Sequence, residues 1–159
     1  MGGIERGIQF PAMFDQQRAK RFDIFEGATR QTLESLAELL TEERVHAGSI
    51  VIRQGDPPDD LYVVVAGELD VTAAGPDGRE RTVGALSAGA YFGEIGLLRG
   101  IPRTATVTAR TALDLYRIPG PDFLRVLNEG PTMSTNLLAN VQARLSITRS
   151  ASRHEEKGD

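Results

Sequence analysis

The sequence predicts a mainly β protein with flanking helices, and three observations carry that expectation. Short apolar runs recur between Thr41 and Ile118 with glycine or proline punctuation. Helical periodicity is confined to the segments on either side of that region. With 159 residues and 40% hydrophobic content, the chain has the apolar material for one domain with one core. Many short strands at this spacing give a sandwich or a barrel, and an eight-stranded antiparallel jelly roll (a double-stranded β-helix) is the closed form. The expected architecture is that barrel, preceded by an N-terminal helical segment and followed by two C-terminal helices.

Taken in order, residues 1–12 show no clear period and are expected to be a flexible N-terminus. Asp15 to Ile24 can form a short helix with Phe14, Ala19 and Phe22 on one side. Phe25 to Thr29 reads as a turn, with Thr29 as the N-cap of the next helix. From Arg30 to Leu40, the set Leu33, Leu36, Ala37, Leu39 and Leu40 follows helical spacing and is expected to face the core. After Thr41 the pattern changes to strands. Val45 is expected to begin one, and Ile50 to Arg53 to form another that ends at Gln54-Gly55-Asp56. Leu61 to Val65 follows, broken by Gly67; Leu69 to Thr72 continues, and Pro76-Asp77-Gly78 closes a hairpin. Arg79 to Leu86 returns, Gly89 precedes Tyr91, and Val107 and Leu113 to Ile118 complete the β region.

Pro121 suits the first turn of a helix carrying Phe123, Leu124, Val126 and Leu127, which Asn128-Glu129-Gly130 stops. A longer helix is expected over about 132–149, with Met133, Leu137, Leu138, Val141 and Leu145 on one stripe, read as core or dimer interface. Residues 150–159 are expected to be a disordered tail.

Composition excludes several functions. A net charge of -4 argues against nucleic acid as a partner. Lysine occurs only at Lys20 and Lys157, so a phosphate held by the folded core must meet arginine or main-chain amides, and a lysine-bearing P-loop is ruled out. The sequence has no cysteine, hence no thiolate nucleophile and no disulfide framework, which is compatible with a reducing cytoplasm. No apolar run is long enough for a bilayer and no leader pattern opens the chain, so no direct membrane contact is expected. Met1-Gly2-Gly3 resembles an acylation signal only superficially, because Arg6 stands where that signal has Ser or Thr. His46 and His154 are far apart, and His46 reads as a strand-end surface residue. Two such histidines are too few for a metal site or a Ser-His-Asp arrangement. No catalytic residue, metal or enzyme cofactor is expected.

The chemistry is concentrated in Phe92 to Val107, FGEIGLLRGIPRTATV. Gly93 and Gly96 let the backbone come close to a ligand. The residues after Gly93 can open a helical turn whose unpaired amides favour an anion. Arg103 adds a permanent charge on a planar fork suited to phosphate oxygens, where its alternative is a surface ion pair. Glu94 would repel a phosphate and suits a neutral hydroxyl such as that of a ribose; a helix N-terminal carboxylate is the compatible structural reading. Without a ligand, the same stretch could be a glycine-broken strand, a bulge and a turn.

A phosphate and a hydroxyl side by side suggest a nucleotide, and here the stretch resembles the phosphate-binding cassette of the cyclic nucleotide-binding domain family almost residue for residue. Gly55-Asp56, Asp59, Leu61 to Val65 and Gly67 to Val71 are similar to the family's first glycine-turn region, read here as turn geometry alone. The resemblance implies one domain over 13–149, with the cassette at 92–107. It assigns phosphate and ribose contacts to Phe92, Gly93, Glu94, Ile95, Gly96, Leu97, Arg103, Thr104 and Ala105, with Ile95 to Leu97 and Ala105 acting through backbone amides. Thr104 leaves the choice between cyclic AMP and cyclic GMP open. By analogy Val71 and Val83 flank the purine, and Leu137, Leu138, Val141 and Arg144 on the last helix could cap it.

The implied function is a regulatory sensor that binds a cyclic nucleoside monophosphate, cyclic AMP favoured over cyclic GMP, and transmits binding through its C-terminal helices. Its partners would be an effector domain in a parent protein or a second copy of the chain. Two rivals stand beside it: a degenerate domain of the same fold used for dimerisation, and a cupin-like metal enzyme, which the histidine count opposes.

Overall fold

The computed structural model describes residues 21–128. Eight strands form two four-stranded antiparallel sheets, ordered β1-β8-β3-β6 and β2-β7-β4-β5. The first sheet holds β1 (Thr41–Val45), β3 (Asp60–Ala66), β6 (Tyr91–Phe92) and β8 (Leu113–Pro119). The second holds β2 (Ile50–Ile52), β4 (Leu69–Ala74), β5 (Glu80–Leu86) and β7 (Thr106–Ala109). Among the described residues three α-helices accompany them: α1 (Arg30–Leu39), α2 (Glu94–Arg99) and α3 (Gly120–Leu127). The mainly β expectation holds. The closed barrel becomes a two-sheet arrangement compatible with an eight-stranded roll, because the ladders among the described residues run within each sheet.

The apolar run of β3 has a physical reason. Successive strand residues point to opposite faces, and both faces of β3 are covered. Leu61 and Val63 pack with Leu33, Leu36, Phe123 and Val126 under α1 and α3. Tyr62 and Val64 pack with Leu69, Phe92, Val107 and Leu115 between the sheets. A strand buried on both sides reads as continuously apolar. Strand β8 is divided in the same way, with Tyr116 and Ile118 under the helices and Leu113 and Leu115 between the sheets.

Helix α1 begins where expected. The Thr29 hydroxyl accepts from the Thr32 N–H at 3.1 Å and satisfies one of the first-turn donors. Two sequence expectations shift. Val45 ends β1 rather than beginning a strand. The reason is that β1 is an edge strand held partly by charge: Arg44 sits opposite Asp114 in the ladder and pairs with it at 3.1 Å, and Glu43 meets Arg117 at 3.5 Å. A polar edge strand does not show in an apolar pattern. Ile24 belongs to a 3-10 turn, Asp23–Phe25, not to the end of an α-helix. This turn is fixed by the Asp23 N–H donating to the Gly89 carbonyl at 2.9 Å. The first predicted C-terminal helix is α3; the second, with Leu137, Leu138, Val141 and Arg144, lies outside the described residues, as do residues 1–12 and 150–159.

Candidate functional site

Strand β6 delivers Phe92 into the space between the sheets, where its ring stacks on Tyr62 with centroids 5.1 Å apart. Burial pushes the Tyr62 phenol pKa up, and the neighbouring Asp59, Glu43 and Asp60 carboxylates add to the shift. The chain then turns sharply at Gly93, φ 94°, which caps α2. A Cβ there would lie 2.8 Å from Arg103 Nη1 and 2.9 Å from the Asp60 carbonyl, so both backbone angle and space demand glycine. Glu94 follows as the first residue of α2 and is 1% exposed.

Arg103 is 4% exposed. Its Nη1 donates to the Gly93 carbonyl at 2.8 Å, and Nη2 donates to Asp59 Oδ1 at 2.5 Å and to the Asp60 carbonyl at 2.9 Å. Among the described residues, Nε–H and the second Nη1–H carry no hydrogen bond, so the guanidinium keeps donors in reserve. Its main chain is held as firmly: the Arg103 N–H donates to the Asp56 carbonyl, and the Gly55 N–H donates to the Arg103 carbonyl, both at 2.8 Å. The Asp59 side chain, in contrast, is 71% exposed.

These residues border a cavity of about 210 Å³. Its polar end is made by Gly93, Glu94, Arg103 and Thr104. Its apolar wall is made by Ile52, Val71, Val83, Leu86 and Val107. Phe92, Ile95, Gly96 and Ala105 also line it. The structure therefore gathers Phe92 to Gly96, Arg103 to Ala105, Val71 and Val83, residues from strands β4, β5 and β6, helix α2 and the loop before β7. Leu97, assigned through its backbone amide, does not line the cavity; its half-buried side chain packs against the helical core. Among the described residues no group of His, Asp and Glu is placed to hold a metal ion.

Sequence reasoning missed two things. Ile52, Gly84, Ala85, Leu86 and Val107 also line the cavity. Their short runs signalled strands, but only the pairing of β4 with β5 and β7, and of β2 with β7, places them on this wall. Asp59 was read as part of a turn, whereas its carboxylate is the ionic partner of Arg103. Nothing in the Pro57-Pro58-Asp59 spacing signals a contact 44 positions away.

A two-sheet β domain with a concave site, a buried guanidinium and carboxylate at one end and an apolar wall at the other, has the form of a small-ligand receptor. The comparisons make the class specific. The profile of the cyclic nucleotide-binding domain matches residues 42–129, more than half of the chain. The chain belongs to that family. A cAMP-dependent protein kinase regulatory subunit of Yarrowia lipolytica is 42% identical over 98 residues, covering 62% of this chain and 25% of that protein. The chain thus spans about a quarter of that curated relative's length. Among solved structures, the regulatory domain of Toxoplasma gondii PKA with cAMP is 30% identical with a TM-score of 0.63, covering 70% of this chain and 45% of that one. The N-terminal domain of a transcriptional regulator from Streptomyces coelicolor A3(2) is 32% identical with a TM-score of 0.63, covering 84% and 95%. Among the described residues, no helix is long and apolar enough to cross a membrane.

Proposed function

We propose that this chain is a regulatory sensor module that binds a cyclic nucleoside monophosphate, cyclic AMP in preference to cyclic GMP, without catalysing a reaction. The observation that carries the reading is the burial of Arg103 at the polar end of an otherwise apolar cavity. A guanidinium is costly to bury, and the two N–H groups left over suit a phosphate's oxygens. Glu94, buried beside it, is assigned the ribose 2′-hydroxyl, and the apolar wall with Val71 and Val83 is assigned the base. The Toxoplasma gondii relative, solved with cAMP, supports this ligand class.

Asp59 gives the reading a mechanism. A phosphate that takes up Arg103 competes with a carboxylate that is mostly solvated and loses little on release. The Asp59 carbonyl packs closely against Gly120 at the start of α3, so displacement of this loop is felt by the helix. A ligand shifts the helices only through its differential affinity for the two arrangements. The sensor is assigned residues 13–149, with the helix expected over 132–149 capping the base through Leu137, Leu138, Val141 and Arg144. It acts in the cytoplasm on an effector in the same polypeptide or on a partner.

Titration calorimetry with cyclic AMP, cyclic GMP and 2′-deoxy cyclic AMP tests the proposal. The expected outcome is one-to-one binding, tightest for cyclic AMP and much weaker for the deoxy analogue. Absence of heat with both cyclic AMP and cyclic GMP on folded protein refutes the sensor. Equal affinity for the deoxy analogue removes the role given to Glu94.

A further inference from the structure

The last β4–β7 pair is Thr72 with Thr106, and continuing that register would set Ala74 opposite Thr104. That pair is not made. Strand β7 starts at Thr106, and Thr104 borders the cavity instead. A side chain takes the vacated place. The Ala74 N–H donates to Gln54 Oε1 at 2.7 Å, and Gln54 Nε2 donates to the Ala74 carbonyl at 3.1 Å. A carboxamide presents a donor and an acceptor as a peptide group does, so Gln54 stands in for the strand where β7 has left the sheet. The Gln54 N–H also donates to Thr106 Oγ1 at 3.0 Å. The next two residues, Gly55 and Asp56, hold the main chain of Arg103 from both sides at 2.8 Å.

We propose that Gln54 is a positioning residue for Arg103. By satisfying Ala74 in place of Thr104, it allows Arg103 to Ala105 to leave the ladder and stand at the cavity. By tying its own position to β4 and β7, it fixes the Gly55-Asp56 pair that sets where the guanidinium starts. Buried or half-buried strand groups need partners. With Gln54 removed, Ala74 draws water or draws Thr104 back toward the ladder, and either event loosens Arg103. The Gln54 side chain is outside both core clusters, so its replacement leaves the core intact. The effect on affinity rests on the cyclic nucleotide reading; the effect on the backbone does not.

The test uses Gln54→Ala and Gln54→Glu in the full chain, first by amide hydrogen exchange without ligand and then by titration with cyclic AMP and cyclic GMP. In Gln54→Ala the Gly55 and Arg103 amides exchange about ten-fold faster or more, while the Val63 amide in the core is unchanged. Affinity falls about ten- to a hundred-fold, the loss of two hydrogen bonds felt through the phosphate site. Gln54→Glu, which keeps the acceptor and loses the donor, falls between. In an Arg103→Lys background Gln54→Ala costs far less, because the two act through one contact. Unchanged exchange at Gly55 and Arg103 overturns the proposal whatever the protein binds, and so does equal acceleration at Val63. Faster exchange with affinity within about two-fold of the unaltered protein overturns the positioning role. An unaltered protein that gives no heat with either nucleotide sinks the sensor reading, while the exchange rates still decide whether Gln54 fixes Arg103.

Discussion

Arg103 is almost wholly withdrawn from water, and its three hydrogen bonds to Gly93, Asp59 and Asp60 are what make that burial tolerable. Two of the three acceptors are carbonyls fixed by the fold; the third is a carboxylate on an open loop. Arg103→Ala is therefore expected to weaken cyclic nucleotide binding by about a hundred- to a few-thousand-fold, equivalent to roughly 3–5 kcal/mol, checked by calorimetry. Its melting temperature should fall much less than its affinity, because the stranded Asp59 carboxylate is already solvated. Gly93→Ala is expected to act on the same contact from the other side. The added Cβ meets Arg103 Nη1 and forces a left-handed angle on a residue that resists it. Loss of both stability and affinity is expected, read as a lower melting temperature and a weaker titration.

At the scale of the element, α1 and α3 owe their places to different devices. Helix α1 has a cap, and Thr29→Ala is expected to cost about 1 kcal/mol, visible as a lower midpoint in urea with an unchanged slope. Helix α3 has a close approach: a Cβ on Gly120 would fall 2.0 Å from the Asp59 carbonyl oxygen and 2.4 Å from Leu97 Cδ2. Gly120→Ala should destabilise the fold by about 1–3 kcal/mol or more. It should also change ligand affinity, because the loop it pushes carries the partner of Arg103. A variant that loses stability while binding the nucleotide unchanged would separate α3 from the site.

For the whole molecule, a ligand that binds only the folded state adds stability by mass action. At about a hundred times the dissociation constant the gain is roughly 2.7 kcal/mol. For a chain of this size that corresponds to a melting rise of about 5–11 °C. Cyclic AMP should produce it, cyclic GMP a smaller rise at equal concentration, and linear AMP none; a thermal-shift series checks all three. Divalent cations should leave the melting temperature unchanged, whereas a metal enzyme on this fold would respond to them or to chelators.

The sequence by itself determined the class of fold, the cap at Thr29, the hairpin at Pro76-Asp77-Gly78 and the contiguous cassette from Phe92 to Ala105. These are local matters: periodicity, a capping hydroxyl and turn chemistry act over a few neighbouring residues, so they are written in order along the chain. Tertiary structure decided that the eight described strands split into two sheets and that polar β1 is a strand at all. It also decided that Ile52 and Leu86 share a wall with Arg103, that Asp59 is the arginine's counter-ion, and that Gln54 replaces a strand. Those contacts join residues far apart in sequence. Their energies depend on which strands pair and in what register, and a single chain read in order does not display that pairing.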